Sequence, residues 1–142
     1  MARLPRLAIP GLPHHVLQRG NNRQAVFLDD ADRSRYLTLL SEAASRFKVA
    51  VHAYVLLDNH VHVLLTPSDA AGLAQTFQML GRAYVRYFND RHGRSGTLWE
   101  GRYRSAPLDL PHLLPCLVWL DTHPVRAGLA GEPAAYGWSS HG

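Results

Sequence analysis

Between His52 and Leu65 the chain is apolar except where Asp58-Asn59-His60-Val61-His62 interrupts it, and that stretch constrains the fold most. Val49, Val51, Val55, Val61 and Val63 favour extended backbone, while Asp58-Asn59 supplies a turn, so residues 49–66 read as a β-hairpin. Side chains alternate along a strand, which places His60 and His62 on one face with their imidazoles a few ångströms apart. On a helix the same pair would point to nearly opposite sides. By itself an H-x-H pair on a strand fits two hydrogen-bonded histidines as well as a metal site.

The rest of the chain supplies the frame for that hairpin. His14-His15-Val16-Leu17-Gln18 reads as a strand that ends in the turn-rich loop Arg19-Gly20-Asn21-Asn22-Arg23. Asp29 or Asp30 caps a helix running to about Phe47, with Tyr36, Leu37, Leu40, Ala44 and Phe47 at helical spacing. A second helix, roughly Ala71 to Arg91, carries an apolar stripe of Leu73, Phe77, Leu80, Tyr84 and Phe88, with Arg82, Arg86 and Arg91 off it. Gly93-Arg94-Ser95-Gly96 breaks it. A basic and aromatic loop then leads to a short extended piece near Ala106–Asp109, and a last helix runs from about Pro111 to Thr122, closed by Pro124. The order strand, helix, hairpin, helix, strand, helix implies an α+β fold with helices packed on an antiparallel sheet.

A length of 142 residues suits one domain, 1–142, with a core large enough to need no disulfide or structural metal. The single cysteine, Cys116, excludes an internal disulfide framework and reads as a buried thiol in a reducing compartment. Pro5, Pro10 and Pro13 interrupt the only N-terminal apolar run, so a cytoplasmic protein with no membrane partner is expected. The net charge of +4 comes almost wholly from arginine, since Lys48 is the only lysine. Arginine's planar fork grips phosphate, which suits a nucleic-acid surface, although a GC-rich genome produces the same bias.

Six segments together resemble one family. They are Arg19-Gly20-Asn21-Asn22-Arg23, Val51-His52-Ala53-Tyr54-Val55-Leu56, Asp58-Asn59-His60-Val61-His62, Arg94-Ser95-Gly96-Thr97-Leu98-Trp99-Glu100-Gly101-Arg102-Tyr103, Pro124-Val125-Arg126-Ala127-Gly128-Leu129 and Trp138-Ser139-Ser140. In this order they resemble the bacterial REP-associated tyrosine transposases, within the HUH single-tyrosine transposase superfamily, over essentially the whole chain. The resemblance implies a ferredoxin-like sheet, a divalent metal (magnesium or manganese) at His60 and His62, and a tyrosine nucleophile on the last helix. That tyrosine attacks a single-stranded DNA phosphate and leaves a 5′-phosphotyrosine and a free 3′-hydroxyl. A polar residue one turn later completes the metal shell, since a spacing of four shares a helix face.

The last helix departs from the family pattern, approximately Arg-Tyr-Ile-x-Leu-Asn-Pro-Val-Arg. Here Trp119 stands at the tyrosine position and His123 at the asparagine position. Indole has no hydroxyl, so the standard strand transfer is not expected at Trp119. His123 with His60 and His62 would make a three-histidine site suited to zinc, manganese, cobalt or nickel. Tyr103 and Tyr87 are the substitute nucleophile candidates, with Tyr84 assigned to the core. Asp58 reads as a turn residue and Glu100 as a partner for Arg102 or Arg104. The DNA-binding candidates are Arg19, Asn21, Asn22, Arg23, Arg82, Arg86, Arg94, Arg102 and Arg104, expected to border the site. These residues lead to a transposase-like protein acting on single-stranded or hairpin DNA. The alternatives are a domesticated DNA-binding protein without chemistry, or a metal-dependent hydrolase using His60, His62, His123 and water. No heptad pattern fixes the oligomeric state, and a homodimer stays open.

Overall fold

The computed structural model describes residues 8–101 and 103–107; Arg102, Cys116, Trp119, His123 and the expected last helix lie outside the described residues. Strand β1 spans His14–Arg19 and is followed by a short 3-10 turn at Asn21–Arg23. Helix α1 covers Asp30–Arg46, β2 Val49–Leu56, β3 His60–Pro67, α2 Gly72–His92 and β4 Arg104–Pro107. All the strand pairings are antiparallel, and the sheet order is β2-β3-β1-β4. Two βαβ halves interleaved in that order, with the first and third strands central, form the ferredoxin-like arrangement.

Local chemistry explains the boundaries. Asp29 caps α1 through its side chain, which accepts from the Asp32 backbone N–H at 3.1 Å, while Asp30 and Asp32 occupy the positive end of the helix. The chain leaves α1 through Lys48 at φ 56°, a left-handed residue where a helix end usually recruits glycine. Helix α2 ends at Gly93, also left-handed with φ 62°. The fourth strand is described over Arg104–Pro107, overlapping the expected extended piece near Ala106–Asp109, whose last two residues lie outside the described residues.

The sheet has two distinct faces. Val61, Val63 and Leu65 of β3 and Val16 of β1 share one core cluster with Tyr36, Leu40, Ala43 and Ala44 of α1 and Leu73, Phe77, Leu80, Tyr84 and Phe88 of α2. Both helices therefore cover the face that bears the odd-numbered residues of β3. The even-numbered residues, His60, His62, Leu64 and Thr66, occupy the opposite face by strand alternation. Among the described residues no helix is long and apolar enough to cross a membrane.

Asp32 ties the two helices together at the edge of this core. It is wholly buried and accepts from the Leu28 backbone N–H, Tyr87 Oη, Arg91 and His92 Nε2 at 2.8–3.1 Å. Arg91 also makes a two-pronged contact with Asp29 at 2.6 and 2.7 Å. Burial opposes ionisation of Asp32, but the hydrogen bonds from Leu28, Arg91, His92 and Tyr87 outweigh it and hold the carboxyl below its usual range.

Candidate metal centre and nucleic-acid face

The paired histidines stand on one face, as strand alternation requires. Their ring centroids are 5.1 Å apart and the rings are nearly perpendicular. His62 is buried and His60 partly exposed. The Asn59 side-chain oxygen lies 2.7 Å from His60 Nδ1. An amide oxygen only accepts, so this contact has His60 Nδ1 donating, and the neutral imidazole then carries its lone pair on Nε2. On His62 the Nδ1 is also engaged, 3.0 Å from His15 Nε2. Burial lowers the pKa of His15, which favours its neutral form.

This donor set fits a divalent cation of borderline softness, two imidazoles on a rigid strand with Nδ1 held by a neighbouring group. Two donors do not close a site. No group of three or more His, Cys, Asp or Glu that could hold a metal occurs among the described residues, and His123 lies outside them.

Strand register brings two cations to the same face. Leu17 pairs with both His62 and Arg104, while Arg19 pairs with His60. Directly opposed residues of an antiparallel pair share a face, so Arg19 and Arg104, both exposed, flank the histidines. The Arg19-Gly20-Asn21-Asn22-Arg23 loop starts there, with Asn22 and Arg23 at φ 54° and 59°. Left-handed asparagine is common, whereas arginine in this region is unusual and marks a loop held by its surroundings.

Backbone hydrogen bonds do the holding. Gly20 N donates to Asn59 O at 2.8 Å, Asn21 N to Leu98 O at 2.8 Å, Glu100 N to Arg19 O at 2.7 Å and Val26 N to Asp58 O at 2.7 Å. Three segments that are distant in sequence are thereby fixed around the turn that precedes His60. Trp99 packs into the core at this junction and bridges to Gly20. A Cβ on Gly20 would meet the Gln24 carbonyl oxygen at 2.2 Å, a backbone atom that cannot swing away. A Gly20→Ala variant is therefore expected to lose about 2 kcal/mol of stability, read as a lower urea midpoint; an unchanged midpoint would mean that the loop is not clamped.

Several candidates fall elsewhere. Arg94 hydrogen-bonds Asn89 Oδ1 at 2.6 Å, Gln24 Oε1 at 2.9 Å and Thr97 O at 3.2 Å, so its guanidinium braces the loop. Arg82 and Arg86 do not border the histidines. They line a cavity of about 650 Å³ with Arg46, Phe47, Gln75 and Gln78 on the helical layer, across the sheet from His60 and His62. Helical periodicity puts them off the apolar stripe but cannot say on which side of the sheet the stripe will lie.

The substitute nucleophile candidates pack on the helical layer as well. Tyr87 donates its hydroxyl to Asp32 at 2.9 Å, and burial together with that bond raises its pKa. The buried ring of Tyr103 packs on Phe77 of α2, with centroids 4.7 Å apart. Both pack on the helix-bearing side of the sheet, opposite the histidine face. Tyr84 is a core residue, as its place on the stripe implies, and its hydroxyl donates to Val26 O at 2.6 Å. Asp58 closes the turn and also accepts from Arg33, a link to α1 that the sequence does not disclose. His15 is the other omission, legible as a strand residue but not as a neighbour of His62.

The ferredoxin-like α+β sheet, with both helices on one face and the histidine pair on the other, sets the fold class. A family model described as transposase IS200 like matches residues 9–112, and the chain belongs to that family. Among solved structures, it is similar to one described as a REP-associated tyrosine transposase bound to a REP hairpin, with a TM-score of 0.77 and 17% identity. That match covers 99% of this chain and 82% of the other. It is also similar to a candidate transposase of Deinococcus radiodurans R1, with a TM-score of 0.58, 16% identity and coverage of 85% and 97%. No curated protein matches by sequence at a significant level.

Proposed function

We propose that this member of the IS200-like transposase family binds hairpin-forming or single-stranded DNA across the face that carries His60 and His62. We further propose that Trp119 deprives this copy of tyrosine-dependent strand transfer. The observation that carries the binding reading is the register that sets Arg19 beside His60 and Arg104 in the row of His62. Two guanidiniums flanking an imidazole pair suit a phosphodiester laid over the strand ends, where the arginines supply charge and the pair supplies metal ligands. A divalent cation held there would neutralise and polarise the phosphate. Asn21, Asn22 and Arg23 extend the same border along a loop whose shape is fixed by its backbone partners. The similar structure described as bound to a REP hairpin supports hairpin DNA as the ligand class.

The test is fluorescence anisotropy with a hairpin-tailed single-stranded oligonucleotide across a salt series. Binding is expected to weaken steeply as salt rises. The Arg19→Ala, Arg104→Ala double variant is expected to reduce the salt slope by about one for each phosphate it no longer neutralises. An Arg82→Ala, Arg86→Ala variant is expected to change it less, because those arginines lie on the helical layer. Salt-independent binding, or a larger drop from the helical pair, would overturn this placement of the DNA.

A further inference from the structure

We propose that His15 is a positioning residue that fixes His62 for metal binding by accepting the proton of its Nδ1. This rests on the reading of His60 and His62 as a metal site. His15 lies across from Leu64 in the β1–β3 register, diagonal to His62 and on the same face. Its ring lies nearly parallel to that of His62 and meets it edge to edge, with centroids 5.2 Å apart, 15° between planes and Nε2 3.0 Å from His62 Nδ1, the geometry of an in-plane hydrogen bond.

Two ring nitrogens at that distance share one proton. If the proton is on His62 Nδ1, the Nε2 of His62 carries the lone pair and can bind a cation. If it is on His15 Nε2, His62 accepts through Nδ1, and a neutral His62 then keeps its own proton on Nε2, which blocks ligation. Metal binding at Nε2 therefore selects the first arrangement, and His15 is the group that accommodates it. His60 has the same device in another form, with the Asn59 amide oxygen at 2.7 Å from its Nδ1. Each ligand is thus oriented from a different element, His62 from β1 and His60 from the β2–β3 turn. The same hydrogen bond also restricts rotation of the His62 ring. Partners of this kind typically change metal affinity 10–100-fold.

The experiment titrates cobalt(II), followed by visible absorption, and zinc, followed by calorimetry, into the wild-type chain, His15→Ala, His15→Gln and His62→Ala. His15→Ala is expected to weaken binding about 10–100-fold. His15→Gln is expected to recover much of that affinity, because its amide oxygen can accept from Nδ1. Wild-type affinity in His15→Ala would overturn the inference while leaving the metal site standing, as would a glutamine variant no better than alanine. No binding by the wild type, or binding indifferent to His62→Ala, would remove the metal-site reading and this inference with it. Imidazole-nitrogen NMR of the zinc-loaded wild type gives an answer independent of any variant: a proton on His62 Nδ1 supports the assignment, and its absence there overturns it.

Discussion

Asp32→Ala is expected to lower the thermal midpoint by roughly 10 °C, an effect of about 3 kcal/mol. Asp32 is wholly buried and serves four partners from two segments, Leu28 N ahead of α1 and Tyr87 Oη, Arg91 and His92 on α2. Removing it leaves a backbone N–H and a tyrosine hydroxyl without acceptors next to the core, and each such group costs about 1–3 kcal/mol. The figure sits at the low end for breaking a buried ion pair, because Arg91 retains Asp29. Asp32→Asn should fall between the two, since its amide oxygen still accepts from Leu28 N while its NH2 faces donors. The network also dictates a pH dependence. Arg91 holds the Asp29 carboxyl down from 3.8 to about 2, and Asp32 is depressed as well. Both groups give up protons more readily folded than unfolded, so the unfolded chain binds more protons in acid. Their contribution is present above about pH 4 and is lost as pH falls further, that of Asp29 through about 2. Urea midpoints from pH 6 to pH 2 should therefore decline steeply in the wild type and more gently in Asp32→Ala. A midpoint within 2 °C of wild type at pH 7, or parallel pH profiles, would show that Asp32 does not couple the helices.

That network also marks the limit of what the sequence discloses. The hairpin is legible because valine spacing, a two-residue polar turn and strand alternation act within twenty residues, and the observed β2 and β3 follow it closely. Helix α1 is legible from Asp29 to Phe47 because capping is local, and α2 because its stripe repeats at helical spacing. Asp32, Arg91 and His92 are separated by some sixty residues, and in sequence Asp32 is only an acid in a helix's first turn. His15 is visible as a strand residue, but its contact with His62 depends on the pairing of β1 with β3, which no local pattern specifies. Arg94 shows a second role that its sequence context does not disclose. Charge and a glycine-rich loop suggest a phosphate contact, and the structure adds that the guanidinium braces Gln24, Asn89 and Thr97. Strand alternation alone puts the histidine pair on one face, but the arginines are divided between the two faces of the sheet by a packing decision that composition cannot carry.

The second large effect is a gain of function. Wild-type protein is expected to form no denaturant-resistant adduct with end-labelled, hairpin-tailed single-stranded DNA in manganese, and Trp119→Tyr is expected to form one. The contrast is all or none, because a phosphotyrosine bond requires a hydroxyl oxygen and indole offers only an N–H donor. Position 119 lies outside the described residues, so the expectation rests on the Val118-Trp119-Leu120-Asp121-Thr122-His123-Pro124-Val125-Arg126 segment and its resemblance to the family pattern. The described residues contribute the other half. Tyr87 is bonded to Asp32 and Tyr103 is buried against Phe77, both across the sheet from His60 and His62, so neither is expected to supply the attacking oxygen. A His62→Ala change added to Trp119→Tyr should abolish the adduct, which separates a metal-assisted attack from adventitious crosslinking. An adduct with the wild-type chain would mean that another hydroxyl has taken over and that Trp119 does not silence it. No adduct from Trp119→Tyr, with hairpin binding intact, would place the defect deeper than the nucleophile, in a site that has kept its DNA-facing arginines but no longer assembles for strand transfer.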